Sequence, residues 1–313
     1  MKRRESLHTI LIISFITLVA APLMWSCNED EPDYVPGYKS GNNTNNQGYY
    51  SEDNTNRNNP FTNPYSARLE IPRLKGGATN LFLVKQVGGM GVNFCIEWDC
   101  MKKAQRWTAF RWDRSYKDTY MPRSESWSED YDIPEAYRTS QKSYSGTGYT
   151  RGHICASADR RNSYEANAQT FLYSNMQPQL YDFNGGIWLD LENKIRTRNT
   201  DNFRDTLYVV KGGTIDNNSK ILETTRTGLI VPKYFFMALL CKNKSTSQGG
   251  YKAMGFYIEH RDDYAKNTNL RQFACSIKEL EERTGIDFFC NLPDELEKQV
   301  ESNFVPIAWG FSN

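Results

Sequence analysis

Tyr149-Thr150-Arg151-Gly152-His153, then Ser174-Asn175-Met176-Gln177-Pro178-Gln179, then Asn184-Gly185-Gly186-Ile187-Trp188 and a helical run through Glu192 to Arg196 decide how this chain is read. The stretch gathers the imidazole of His153, the carboxamides of Asn175 and Asn184, the carboxylate of Glu192 and the guanidiniums of Arg151 and Arg196. Such a set suits phosphoryl chemistry assisted by one hard metal ion. Each member also has a plain structural reading. A lone histidine is easily satisfied by one backbone bond, Asn-Gly-Gly makes a turn, and Glu192 with Arg196 has the spacing of an i,i+4 surface ion pair.

The rest of the stretch favours chemistry. The chain has three histidines, of which His8 lies in the N-terminal leader and His260 in a polar turn after a strand. That scarcity excludes a multi-histidine zinc site and leaves His153 as the general base. Gly152 beside it permits close approach of backbone or phosphate, and Arg151 offers a bidentate phosphate contact. Asn184 offers an oxygen to Mg²⁺, which takes few protein ligands and keeps several waters; Mn²⁺ or another divalent ion is expected to substitute.

Outward from that stretch, the N-terminus is distinct. Met1-Lys2-Arg3-Arg4 is basic, Thr9 to Ala21 is apolar but short for a membrane span, and Ser26-Cys27 resembles a bacterial lipobox. Residues 1–26 are therefore expected to be a lipoprotein-type signal, with Cys27 lipidated and the chain exported to the outer membrane, facing the periplasm or the cell surface. Residues 27–66 are rich in Asn, Tyr, Gly, Ser and Pro with almost no aliphatic side chain, and are expected to be a flexible acidic tether. From Asn28 to Ser66 six acids oppose two bases, so the remainder from Ala67 onward is mildly basic at +3. That permits a polyanionic partner without demanding one. The membrane is engaged through the lipid anchor only, and no protein partner is implied.

Residues 67–313 are expected to form one α+β domain. Leu69-Glu70-Ile71-Pro72 and Leu81-Phe82-Leu83-Val84 read as short strands. Phe94 to Trp98 and Trp107 to Trp112 read as a hairpin whose turn carries Lys102, Lys103 and Arg106. Asp113 to Gly148 is a long polar and aromatic loop, a kind of segment that is often functional. Runs at Leu207–Gly213, Leu229–Leu240 and Tyr251–Ile258 read as strands, Ser276 with Glu279 signals a helix start, and Leu292-Pro293-Asp294 starts a last helix. In an oxidising compartment Cys275 and Cys290, flanking the first of these helices, are the first candidates for a disulfide.

Arg151-Gly152-His153, Ser174 to Gln179, Asn184 to Trp188 and Leu191-Glu192, in this order, closely resemble the DNA/RNA non-specific endonuclease family. Val209 to Gly213, Val231 to Tyr234 and Arg283 to Phe289 resemble its later strands and terminal helix region. The resemblance implies a ββα-metal fold with a central mostly antiparallel sheet flanked by helices, and hydrolysis of DNA phosphodiesters, with RNA as a second candidate substrate. It assigns His153 as general base, Asn184 as metal ligand, Asn175 as an orienting residue, Glu192 as holder of metal-bound water, and Arg151 and Arg196 as phosphate ligands. Thr150 stands where that family commonly has aspartate, so the loop and the His153 tautomer are expected to be held differently. An upstream family arginine has no assigned counterpart, Arg111 and Arg114 both being candidates. The alternative is a surface lipoprotein that binds nucleic acid without cleaving it.

Overall fold

The computed structural model describes residues 53–116, 118–243 and 250–312. The leader, Cys27 and most of the tether lie outside the described residues. Eleven strands are described: β1 (Asn80–Val87), β2 (Gly91–Asp99), β3 (Ala104–Asp113), β4 (Thr150–His153), β5 (Met176–Gln179), β6 (Thr206–Gly213), β7 (Ile221–Thr224), β8 (Ile230–Pro232), β9 (Tyr234–Lys242), β10 (Tyr251–Glu259) and β11 (Ala274–Cys275). The helices are α1 (Gln141–Tyr144), α2 (Tyr164–Gln169), α3 (Leu189–Arg196), α4 (Ile277–Thr284) and α5 (Asp294–Ser302). Among the described residues no helix is long and apolar enough to cross a membrane.

A seven-stranded sheet in the order β1-β2-β3-β6-β9-β10-β11 forms the centre, and every pairing in it is antiparallel. Both faces are covered. On β9, Phe235, Met237 and Leu239 enter one apolar cluster with Trp188, Leu191 and Ile195 of the α3 region, while Phe236, Ala238 and Leu240 enter a second with Ile277, Leu280 and Val300 of α4 and α5. A strand buried on both sides has no polar face to alternate, which is why Tyr234 to Leu240 reads as a continuous apolar run.

Small β4–β5 and β7–β8 ribbons stand apart from this sheet. In the first, Thr150 lies opposite Gln179, Gly152 opposite Gln177 and His153 opposite Met176. A turn of π-helix, Phe183–Trp188, then leads into α3. The strand, strand and helix thus sit together on one face of an α+β domain, as expected. At the other face α4 starts where Ser276 Oγ accepts from the Glu279 amide at 3.1 Å, and it ends at Gly285, whose φ of 71° is readily reached only without a side chain.

Five expectations need correction. The packed unit begins before Ala67: Asn54 donates to the Cys290 carbonyl at 3.0 Å, and Asn58 donates to the carbonyls of Ser66 and Pro72. Carboxamides rather than apolar groups anchor this segment, so composition hid it. Leu69–Pro72 makes a turn and extended chain rather than a strand, Ile71 N bonding back to Arg68 O. Leu229–Leu240 is broken at Lys233 into β8 and β9. Arg106 lies within β3 rather than in the turn, buried against Glu97 and Asp216. Cys275 and Cys290 carry separate thiols rather than a shared disulfide. Cys275 packs under Gly255 and Leu280, whereas Cys290 Sγ is held by Asn58 Nδ2 at 3.5 Å.

Candidate active site

Gly152 is what lets β4 and β5 close over one another. A methyl group in its place would stand 2.2 Å from the Gln179 side chain, which is fully buried across it. Its neighbours Arg151 and His153 consequently keep a fixed outlook. The Arg151 guanidinium lies 3.7 Å above the Trp127 ring and donates to Tyr173 Oη at 3.4 Å. The His153 ring meets Trp127 edge-on at 5.5 Å and Phe171 at 4.9 Å. Trp127 comes from the long loop between β3 and β4, where its indole donates to Glu125 Oε2 at 2.9 Å. The loop is therefore a wall of the site.

His153 Nε2 is buried without a protein partner. Desolvation pushes the imidazole pKa down to about 3, and the charges of Arg123, Arg151 and Lys211 push the same way against a hydrogen bond with the Arg151 backbone. The ring is neutral at physiological pH, so Nε2 has a free lone pair.

Asn175 is completely buried and fully used. Its Oδ1 accepts from Cys155 N at 2.9 Å, and its Nδ2 donates to the carbonyls of Cys155 and Thr170, both at 2.8 Å. It clamps the exit of β4 to the entry of β5, and so positions His153 without facing a substrate itself. Asn184 has the opposite disposition. Half-buried in the π-turn, it donates from Nδ2 to Thr150 Oγ1 at 3.0 Å. Thr150 Oγ1 in turn donates to Gln179 O at 2.9 Å. The proton of the threonine hydroxyl is thereby committed to Gln179, and its lone pair fixes which end of the Asn184 amide points away. Oδ1 of Asn184 has no protein partner among the described residues and is free to ligate.

Glu192 and Arg196 do not form the i,i+4 pair that their spacing suggests. The buried Lys211 ammonium donates to Glu192 Oε1 at 2.8 Å and to Asp159 Oδ2 at 2.9 Å. Arg196 Nε donates to Asp159 Oδ1 at 2.9 Å and Nη1 to Asn193 Oδ1 at 2.6 Å. Two cations and two anions share one buried network. Burial raises the Glu192 pKa against the pull of Lys211, while burial of Asp159 is outweighed by Lys211 and Arg196, which hold it low. Lys211 and Asp159 were missed in sequence. A lone lysine within the apolar run Leu207–Gly213 was the available signal for the first; a single Asp in a polar loop offered none for the second.

His260 directly follows β10, as expected, yet the polar residues after it gave no sign of its burial. It is buried, accepting from Leu180 N at Nε2 over 2.8 Å and bonding Pro232 O through Nδ1 at 2.9 Å, with Phe183 and Phe235 against its ring. The Leu180 amide can only donate and the Pro232 carbonyl only accept, so the proton sits on Nδ1. Leu180 directly follows β5 and its carbonyl accepts from Asn184 N at 2.9 Å, so His260 braces the turn that carries Asn184.

A sequence profile described as DNA/RNA non-specific endonuclease matches residues 91–295. A nuclease from Nostoc sp. is 29% identical over 213 residues, covering 67% of this chain and 75% of that protein. The human mitochondrial nuclease EXOG is 27% identical over 209 residues, covering 64% of this chain and 56% of its own length. A nuclease of Syncephalastrum racemosum is 34% identical over 179 residues, 52% of this chain and 54% of that one, so the match spans little more than half of these last two relatives. Among solved structures, that of an EndoG/EndoGI complex, described as showing the mechanism of EndoG inhibition, superposes with a TM-score of 0.58 at 20% identity over 69% of this chain and 89% of that one. At that identity the likeness is one of fold.

Proposed function

This chain belongs to the DNA/RNA non-specific endonuclease family, and from that premise we propose that it is an exported, divalent-metal-dependent endonuclease that hydrolyses DNA and RNA, anchored to the outer membrane through lipid on Cys27. The observation that carries the reading is the pairing of two unpartnered atoms on one motif: Nε2 of His153 and Oδ1 of Asn184, each left free while the rest of its side chain is held.

His153 takes the proton of the attacking water at Nε2. Its low pKa keeps it unprotonated in the free enzyme, and a phosphate entering beside Arg151 offsets the guanidinium charge that helps depress it, raising the proton affinity of the base when it is needed. Arg151, braced on Trp127, meets the phosphate. Asn184 would hold the ion, Mg²⁺ in first place, and Glu192 would hold water at that site through the oxygen that Lys211 does not engage. The ion supplies charge neutralisation on the phosphoryl oxygens and the leaving oxygen. Arg196 turns mainly toward Asp159, so its contribution to phosphate binding works through the network field and through Nη2, which has no partner. Contacts confined to phosphate and metal carry no direct base readout, hence low sequence preference.

Plasmid digestion by the purified protein tests the proposal. Cutting should require a divalent cation, stop on chelation and be lost in Asn184→Ala. Retardation of DNA on a gel without any cutting would instead favour nucleic-acid capture.

A further inference from the structure

On the sheet face opposite the catalytic motif, α4, the loop after it and α5 bring carboxylates together. One oxygen each from Glu281, Asp287 and Glu301 lie within 4.8 Å of one another. Glu297 is buried beside them, where Asn56 Nδ2 donates to Glu297 Oε1 at 3.0 Å and to Asp287 Oδ2 at 3.3 Å. Among the described residues no lysine or arginine is ion-paired to any of the four. Asn56 donates here, as does the Phe288 amide, which reaches Glu281 Oε1 at 2.8 Å, and Glu281 with Glu301 and Asp287 with Glu297 hydrogen-bond to one another. Arg73 acts on Asp287 at longer range, and Asp294 and Glu282 add further negative charge. Glu301 is only 9% exposed, and its Oε1 has no protein partner.

We propose that Glu281, Asp287 and Glu301, with Glu297 adjoining, form a second cation site that takes one calcium ion and clamps α4, α5 and the Asn54–Asn58 segment together. Converging carboxylates without histidine or cysteine select a hard cation, and three or four protein carboxylates exceed what Mg²⁺ usually accepts. The site lies on the α4–α5 side of the sheet, away from β4, β5 and α3, so the ion is structural. Without it the like charges are tolerable only with protons between them: burial and mutual repulsion push Glu281 up to about 7, Glu297 to about 8 and Glu301 to about 10.

The test uses chelator-stripped full-length Asn184→Ala protein, so that the catalytic ion cannot contribute, with calcium chloride as the probe. Calorimetric titration should give one calcium per chain. Thermal unfolding should rise by about 3–6 °C at a calcium concentration tenfold above Kd. Adding Glu301→Gln, or Asp287→Asn should the first fail to fold, should weaken calcium binding by at least about tenfold. In the otherwise unaltered protein Glu301→Gln should leave DNA cutting within about twofold. Absence of calcium binding overturns the proposal, as does binding unchanged in both carboxylate variants. Stabilisation by acidification alone, with no response to calcium, also overturns it and assigns the cluster to shared protons.

Discussion

Replacing Thr150 by valine removes the hydroxyl that orients Asn184 while keeping the shape of the side chain. Two hydrogen bonds go, the 3.0 Å bond from Asn184 Nδ2 and the 2.9 Å bond to Gln179 O. At about 1 kcal/mol each, the folded state should lose ~1–2 kcal/mol, with water reaching the half-buried Thr150 replacing part of the loss. The larger effect falls on the metal. A carboxamide freed to rotate presents Oδ1 only part of the time, and partners that orient a ligand are typically worth about 10–100-fold in metal affinity or activity. Half-saturating Mg²⁺ in a plasmid-cutting assay should therefore rise about 10–100-fold in Thr150→Val, with cutting largely recovered at saturating metal. Thr150→Ser should behave as the parent does. Thr150→Asp can accept from Asn184 but cannot donate to Gln179 O, so it should keep metal affinity and lose stability. An unchanged Mg²⁺ half-saturation in Thr150→Val would refute the argument that Thr150 aims Asn184.

His260→Phe should cost about 1–3 kcal/mol in urea unfolding, because it leaves the part-buried Leu180 amide and the buried Pro232 carbonyl without partners. Lys211→Met leaves Asp159 and Glu192 buried without their shared counter-ion, and should destabilise by roughly 3–5 kcal/mol at neutral pH, with the loss shrinking as acid protonates one of the carboxylates. The histidines predict an acid limb in stability. Folding depresses His153 to about 3 and His260 to about 4, so between the unfolded value near 6.5 and these values the unfolded chain binds more protons. Their contribution is complete above about pH 6.5 and is lost as pH falls toward 3. Denaturation midpoints at stepped pH should show a slope that His153→Ala and His260→Phe each reduce.

How much of this was legible in sequence depended on whether a side chain's partner lay nearby. His153, Asn175 and Asn184 could be read because they stand on one local strand, strand and helix unit, where order and spacing carry the geometry. The central strands were legible as apolar runs, although burial on both faces erased the alternation that would have given their orientation. What was hidden came from long range. Lys211 is one lysine in an apolar strand until Asp159, more than fifty residues upstream, is placed against it. Trp127 lies in a loop without periodicity, and His260 has the composition of a surface turn around it. The segment from Asn54 to Ser66 looked like tether because carboxamides paired with distant carbonyls leave no hydrophobic signature.

The central claim is that His153 is the base of a metal-assisted phosphodiesterase, and the kcat of His153→Ala on plasmid DNA tests it most directly. The side chain is half-buried and Asn184, Glu192 and Arg151 are untouched, so DNA retention and Mg²⁺ half-saturation should stay near those of the parent. The kcat should be lower by about 10²–10⁴ under those conditions, and cutting at the parent rate would mean that another group takes the proton.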